Sequence, residues 1–120
     1  QLIHPKSAVA RNASIGAGCQ ILLNASVGAR ARVGDDCIIN TAANVDHECF
    51  LGNGVHVGPG VTLAGSVRVG DFSFIGAGTT ILPRIQIGSR VTVGAGAVVT
   101  RDLPDGAVAY GIPAKIKDTQ

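Results

Sequence analysis

Apolar residues recur along this chain every six positions, and the spacing never slips. Ile3, Val9, Ile15, Ile21, Val27, Val33, Ile39, Val45, Leu51, Val57, Leu63, Val69, Ile75, Ile81, Ile87, Val93 and Val99 share one register, and all 17 are Leu, Ile or Val. The fifth place of each hexad is small or apolar, from Ser7, Ala13, Cys19 and Ala25 onward to Leu103. Side chains two apart in a strand point to the same side, so each hexad predicts a short strand with one buried face. Gly follows the apolar residue at Gly16, Gly28, Gly34, Gly52, Gly58, Gly70, Gly76, Gly88 and Gly94. The resulting Gly-x-x triplet is expected to turn the chain, because glycine accepts backbone angles that other residues resist. Pro5, Pro59 and Pro83 sit in the same turn slots, where no ladder donor is lost.

Three strands and three turns close a triangular coil of 18 residues. Stacked coils pair their strands in parallel, ~4.8 Å apart. The chain therefore predicts an all-β parallel β-helix of nearly six coils over residues 1–104, with 105–120 as a short C-terminal tail after Pro104-Asp105-Gly106 ends the register. An α-helical reading fails, since six is not a multiple of 3.6 and Gly recurs along the supposed helix.

Composition narrows the picture. Hydrophobic residues make up 46% of the chain but aromatic ones only 3%, and Met and Trp are absent. A core of Val, Ile, Leu and Ala suits thin, regular layers. The 17 glycines are not spaced every third residue, which excludes collagen. A net charge of +2 gives no mark of a nucleic-acid binder. No apolar run reaches the ~18 residues of a membrane span, and the N-terminus does not read as a signal peptide. Cys19, Cys37 and Cys49 all occupy the fifth slot, without metal-ligand spacing, and read as reduced core thiols of a cytoplasmic protein.

Residues 18 apart are stacked neighbours, so columns of the sequence map the surface. One outward column runs Gln20, Ile38, His56, Phe74 and Thr92, with Phe72 close by. An exposed apolar stripe of this kind marks a partner surface, and most soluble oligomers are symmetric homo-oligomers. His56 then belongs at or near a subunit boundary.

Asp46-His47-Glu48 fills a turn triplet of the kind that commonly begins with Gly, so His47 projects from a corner between Ala29 below and Gly65 above. Two readings stand on spacing alone. The imidazole is a reactive base with open space for a substrate, strengthened by the Glu48 carboxylate. Alternatively it is an ordinary corner residue, and Glu48 pairs with Arg30 one coil below. His47 and His56 are expected on adjacent faces, pointing in different directions.

The unbroken hexad, together with Asn40, His47-Glu48, His56 and the terminal Gly111-Ile112-Pro113-Ala114-Lys115, resembles the sialic acid O-acetyltransferase family of hexapeptide transferases. That family includes N-acetyltransferases of UDP-linked 4-amino sugars. The resemblance implies a left-handed coil, a handedness that the period alone does not fix. It implies an acetyl-CoA-dependent acetyltransferase acting on an amine or hydroxyl of a sugar or nucleotide sugar, with no metal. His47 matches the general base and Glu48 the residue that strengthens it. Asn40 matches a contact to the acceptor sugar, and His56 a contact to the thioester region. Ala77 and Ala95 fall where backbone groups meet the pantetheine arm. A homotrimer with acetyl-CoA between neighbouring prisms is also implied. The phosphates of coenzyme A are expected at basic residues of the upper coils, with Arg101 and Lys115 as candidates. Family members generally carry an N-terminal βαβ domain for the nucleotide sugar, whereas the register here begins at Ile3, so the resemblance covers their β-helical part. Two alternatives remain beside this reading: a non-catalytic trimeric β-helix module, and a γ-type carbonic anhydrase. The latter needs three His ligands, and the chain has only His4, His47 and His56, with His4 more than two coils below His47.

Overall fold

In the computed structural model, which describes residues 1–119, every regular element is a strand. Gln120, the last residue of the expected tail, lies outside the described residues. Seventeen two-residue strands, from Leu2–Ile3 to Val98–Val99, follow one another at the predicted six-residue interval. They fall on three faces. Face one carries the strands at 2–3, 20–21, 38–39, 56–57, 74–75 and 92–93; face two begins at 8–9 and face three at 14–15. Pairing is parallel and offset by one coil, so that His56 lies between Ile38 and Phe74, and Thr62 between Asn44 and Thr80. The result is a left-handed β-helix of about six coils, 38 Å along its longest axis and about 20 Å across.

The register residues from Ile21 to Val99 are all buried and form one continuous core column with the fifth-slot residues. Each fully buried Val, Leu or Ile contributes roughly 1.5–3 kcal/mol relative to exposure. The fifth slot does more than fill space. Cys19, Cys37 and Cys49 each donate a thiol hydrogen bond to a turn carbonyl 15 residues on, at 3.0, 3.0 and 3.1 Å. Ser73 and Thr79 make the same bond to Gly88 and Gly94. Thiol and hydroxyl are thus interchangeable donors to the coil above.

The turns work differently from the expectation. Left-handed φ falls on the third turn residue, and nine non-glycines adopt it, among them Asn24, Arg30, Glu48, Phe72 and Arg90. Most of these residues return the cost through their N–H, which flips to donate to the coil below, as Glu48 does to Ala29 and Phe72 to Asn53. The glycine at the first turn place serves close approach. A Cβ on Gly58 would stand 2.7 Å from the Ile75 carbonyl oxygen, and one on Gly76 would stand 2.7 Å from the Ala95 nitrogen.

The C-terminal tail is itself ordered. Ala107–Gly111 pairs in parallel with Thr92–Val93, and Ala114–Thr119 folds back against it as an antiparallel strand. Ala107 and Ala109 are buried, so the hairpin closes the top of the core with small side chains. Among the described residues, no helix is long and apolar enough to cross a membrane.

Burial pushes the thiols of Cys37 and Cys49 from 9.0 up to about 11. In the unfolded chain they release protons that the fold retains, so this contribution is complete below pH 9 and is lost between 9 and 11. Urea unfolding midpoints should fall across that window, and Cys37→Ala with Cys49→Ala should flatten the fall; an equal slope in both proteins would refute the assignment.

Candidate active site

His47 stands in the third coil, on the edge between faces two and three. Its backbone is held from three directions. Asp46 Oδ1 accepts the His47 N–H at 2.7 Å, the His47 carbonyl accepts the Ser66 N–H at 3.0 Å, and the Glu48 N–H donates to Ala29 at 2.9 Å. Two glycines make the space. A Cβ on Gly28 would stand 2.7 Å from the His47 nitrogen, and one on Gly65 would stand 2.6 Å from both Cε1 and Nε2 of the ring. Neither glycine has left-handed φ, so clearance for His47 is what each provides.

The imidazole Nδ1 lies 3.2 Å from Glu48 Oε1, and the same oxygen lies 3.5 Å from the Arg30 guanidinium. One carboxylate therefore serves both partners that the sequence offered as alternatives. A carboxylate only accepts, so its bond assigns the proton to Nδ1 and leaves a lone pair on Nε2, the ring atom beside Gly65. Both members of the Arg30–Glu48 pair are about half exposed, at 63% and 48%. Solvent and salt screen so exposed a pair that it adds little to the fold; its effect is to orient the carboxylate. The hydrogen bond from His47, then the charge of Arg30, hold Glu48 below the usual carboxylate range.

A second cluster lies on face one. Asn40 Oδ1 accepts the Thr41 N–H at 2.8 Å, which turns Nδ2 toward His56 Nε2 at 3.3 Å. His56 Nε2 is then the acceptor, and its proton sits on Nδ1. The Phe74 ring meets His56 edge-on, with centroids 5.0 Å apart. The outward column Ile38, His56, Phe74, Thr92 continues onto the hairpin at Val108.

These clusters are farther apart than expected. Face one is the side of the triangle opposite the edge that carries His47, so the body of the prism separates His47 from His56. The adjacent-face expectation fails because His47 sits in a turn, and a turn belongs to the vertex between two faces. Ala77 and Ala95 lie with Asn40 on the edge leaving face one, where Gly60, Gly78 and Gly96 leave open space around them. Arg101 lies in His47's own column, three coils up, and lines a groove of about 440 Å³ together with Lys115, Asp102 and Ile116.

Sequence reasoning missed a side-chain ladder on the edge entering face one. Asp35, Asn53 and Asp71 each accept the turn N–H of the coil below, at 2.8–2.9 Å. Asp105 does so for Ser89. The column of acidic and amide residues 18 apart was the available signal. Pro59, Ala77 and Ala95, the equivalents on the edge leaving face one, have no acceptor to supply. Among the described residues, no three His, Cys, Asp or Glu side chains converge as metal ligands.

Fold and site together define a hexapeptide-repeat β-helix with an imidazole–carboxylate pair exposed on one edge. The model of the bacterial transferase hexapeptide (six repeats) matches residues 48–83 and 66–101. Solved structures agree. A mutant of GDP-perosamine N-acetyl transferase from Caulobacter crescentus, in complex with CoA and GDP-perosamine, is 45% identical with a TM-score of 0.96 over 97% of this chain and 55% of its own. The acetyltransferase domain of PglB from Neisseria gonorrhoeae, in complex with acetyl coenzyme A, is 45% identical with a TM-score of 0.94, over 95% of this chain and 56% of its own. WeeI from Acinetobacter baumannii is 28% identical with a TM-score of 0.92, over 95% and 56%. The chain thus spans a little over half the length of these structures. A comparison with curated proteins found no match. Residues 48–101 thus carry the repeat described by the bacterial transferase hexapeptide model, and the fold is that of these solved acetyltransferases.

The two glycines beside His47 should respond differently to alanine. At Gly65 the added methyl meets only a side-chain ring, so the melting temperature should hold while the imidazole leaves Glu48. At Gly28 the methyl meets backbone, and stability should fall by roughly 1–3 kcal/mol. Thermal melts and ¹⁵N shifts of the His47 ring check both; a ring still bonded through Nδ1 in Gly65→Ala would contradict the clearance argument.

Proposed function

We propose that the chain is the acyl-transfer part of an acetyl-CoA-dependent acetyltransferase that moves an acetyl group to an amine or hydroxyl of a sugar or nucleotide sugar. The observation that carries the reading is the His47–Glu48 pair, with Nδ1 engaged by the carboxylate and Nε2 in the space that Gly65 leaves free. The named acetyltransferases at 45% identity support the reaction class, and the complex of the Caulobacter protein with GDP-perosamine supports a nucleotide-linked amino sugar as acceptor.

In this mechanism the acceptor nitrogen or oxygen attacks the thioester carbonyl while His47 Nε2 takes its proton. The new C–N or C–O bond forms, the C–S bond breaks, and the imidazolium returns the proton to the leaving sulfur. Glu48 stabilises the imidazolium. His56, with its proton on Nδ1, is a donor for the developing oxyanion. Asn40 orients His56 and contacts the acceptor, and the bare edge at Ala77 and Ala95 receives the pantetheine amides. Arg101 and Lys115 meet the coenzyme A phosphates. All three thiols are buried, which disfavours a cysteinyl intermediate. Free thiols also suit a cytoplasmic protein.

Because His47 and His56 face away from each other in one chain, a shared site needs a neighbour. A homotrimer is therefore part of the proposal, packed through the Ile38, Phe74 and Val108 column.

His47→Ala should lower kcat by ~10²–10⁴ with acetyl-CoA binding retained. Glu48→Gln should cost less and move the acidic limb of the pH–rate profile to lower pH, because a neutral amide no longer favours imidazolium. Near-normal turnover in His47→Ala would remove it as the base. Mixing inactive His47→Ala and His56→Ala chains should restore part of the activity, since some interfaces then receive both wild-type rings. A mixture that stays inactive despite demonstrated subunit exchange would overturn the shared site.

A further inference from the structure

Faces three and one meet at the edge entering face one, and these surfaces hold every phenylalanine of the chain. Phe50 stands outward on face three, Phe72 on the edge and Phe74 on face one, exposed at 39%, 58% and 43%. The same surfaces hold charges without partners. Arg32 and Arg68 flank Phe50 in direct register on face three. Among the described residues neither makes an ion pair, nor does Asp36 on the edge. Face two is different in kind. Its outward residues Ser26, Asn44, Thr62 and Thr80 are short and polar, and the Ser26 hydroxyl donates to Asn44 Oδ1 at 2.7 Å.

We propose that face three is the surface on which face one of a second copy docks, so that the edge carrying Phe72 and Asp36 lies at the threefold axis. This placement rests on the shared-site reading above, which the closure of a threefold ring constrains. In such a ring each prism meets one neighbour through face one and the other through a second face. The edge common to those two faces then points at the axis. With face three as the second face, the outer mouth of each interface joins His47 of one chain to the edge at Asn40, Ala77 and Ala95 of the next. With face two, that bare edge closes onto the axis, and His47 meets the edge of Asp71 and Phe72 instead. Only the first arrangement assembles the imidazole, the acceptor contact and the pantetheine wall in one cleft. The surface chemistry favours it independently. Face three against face one covers all three phenylalanines, whereas face two against face one leaves Phe50 in water. Symmetry sets equal heights together, so Arg32 approaches Asp36 of the partner subunit, and Phe50 approaches its Ile38. Opposite charges placed this way fix the register of the two prisms. A face about 38 Å long and about 20 Å wide also approaches the ~800 Å² per partner that specific interfaces bury.

A short bismaleimide tests which faces pair. Ile38→Cys combined with Phe50→Cys should cross-link into covalent trimers, and Ile38→Cys combined with Asn44→Cys should not. The native thiols are buried, so the unmodified chain should stay uncross-linked. In light scattering, Phe50→Asp and Arg32→Asp should each weaken the trimer by ~10-fold or more, while Thr62→Asp on face two keeps the full mass. Arg32→Asp with Asp36→Arg should recover the trimer, which also excludes a folding defect as the cause of the loss. A monomeric unsubstituted chain, failure of the Ile38–Phe50 pair to cross-link, or full trimer mass in both Phe50→Asp and Arg32→Asp would each overturn the proposal. A protein that trimerises through face three but transfers no acetyl group keeps this interface and refutes the acetyltransferase reading. Acetyl transfer by a protein that cross-links through Asn44 in place of Phe50 does the reverse.

Discussion

Everything in this molecule depends on the parallel ladder that sets each residue beside the one 18 positions away. A two-residue strand has too few hydrogen bonds to persist alone, so each is stable only between the coils above and below. A slip of one residue would turn every buried side chain of a strand outward. The invariant six-residue spacing of Leu, Ile and Val is therefore a mechanical requirement. It converts the sequence into a lattice whose surface positions are fixed by counting, and that lattice presents His47 at one vertex and His56 on the opposite face.

The turns place the chemistry. Left-handed φ at the third turn place inverts the N–H, which ties Glu48 down to Ala29, while the His47 carbonyl is tied up to Ser66. A histidine in this slot therefore rides on a backbone clamped by two coils, with only its χ angles free. Gly65 then leaves the ring a place to lie, and the Glu48 carboxylate selects its orientation. Rigidity comes from the ladder and access from a missing methyl, so precision costs the site little additional packing.

Much of this was legible beforehand because counting modulo 18 needs no energetics. The strands, the core column, the Glu48–Arg30 contact and the bare neighbours of His47 all follow from it. What counting does not reveal is direction and reach. The glycines that follow nine of the register residues suggest turn-formers, whereas the φ angles assign that task two residues later and leave the glycines to admit the next coil. The ladder of Asp35, Asn53 and Asp71 depends on side chains bending down one coil, which composition does not encode. The closing hairpin was missed for another reason: Ala107-Val108-Ala109-Tyr110 alternates with period two, so a search tuned to six passes over it.

The geometry also bears on how the candidate site is divided. A vertex is convex, and a convex surface cannot enclose a substrate. The edge between faces two and three therefore carries an imidazole without walls, whereas the edge leaving face one, bare at Gly60, Gly78 and Gly96, carries open space without an imidazole. Two convex edges brought together by symmetry form a cleft. In the proposed trimer, symmetry would supply in this way the concavity that a triangular prism lacks by construction.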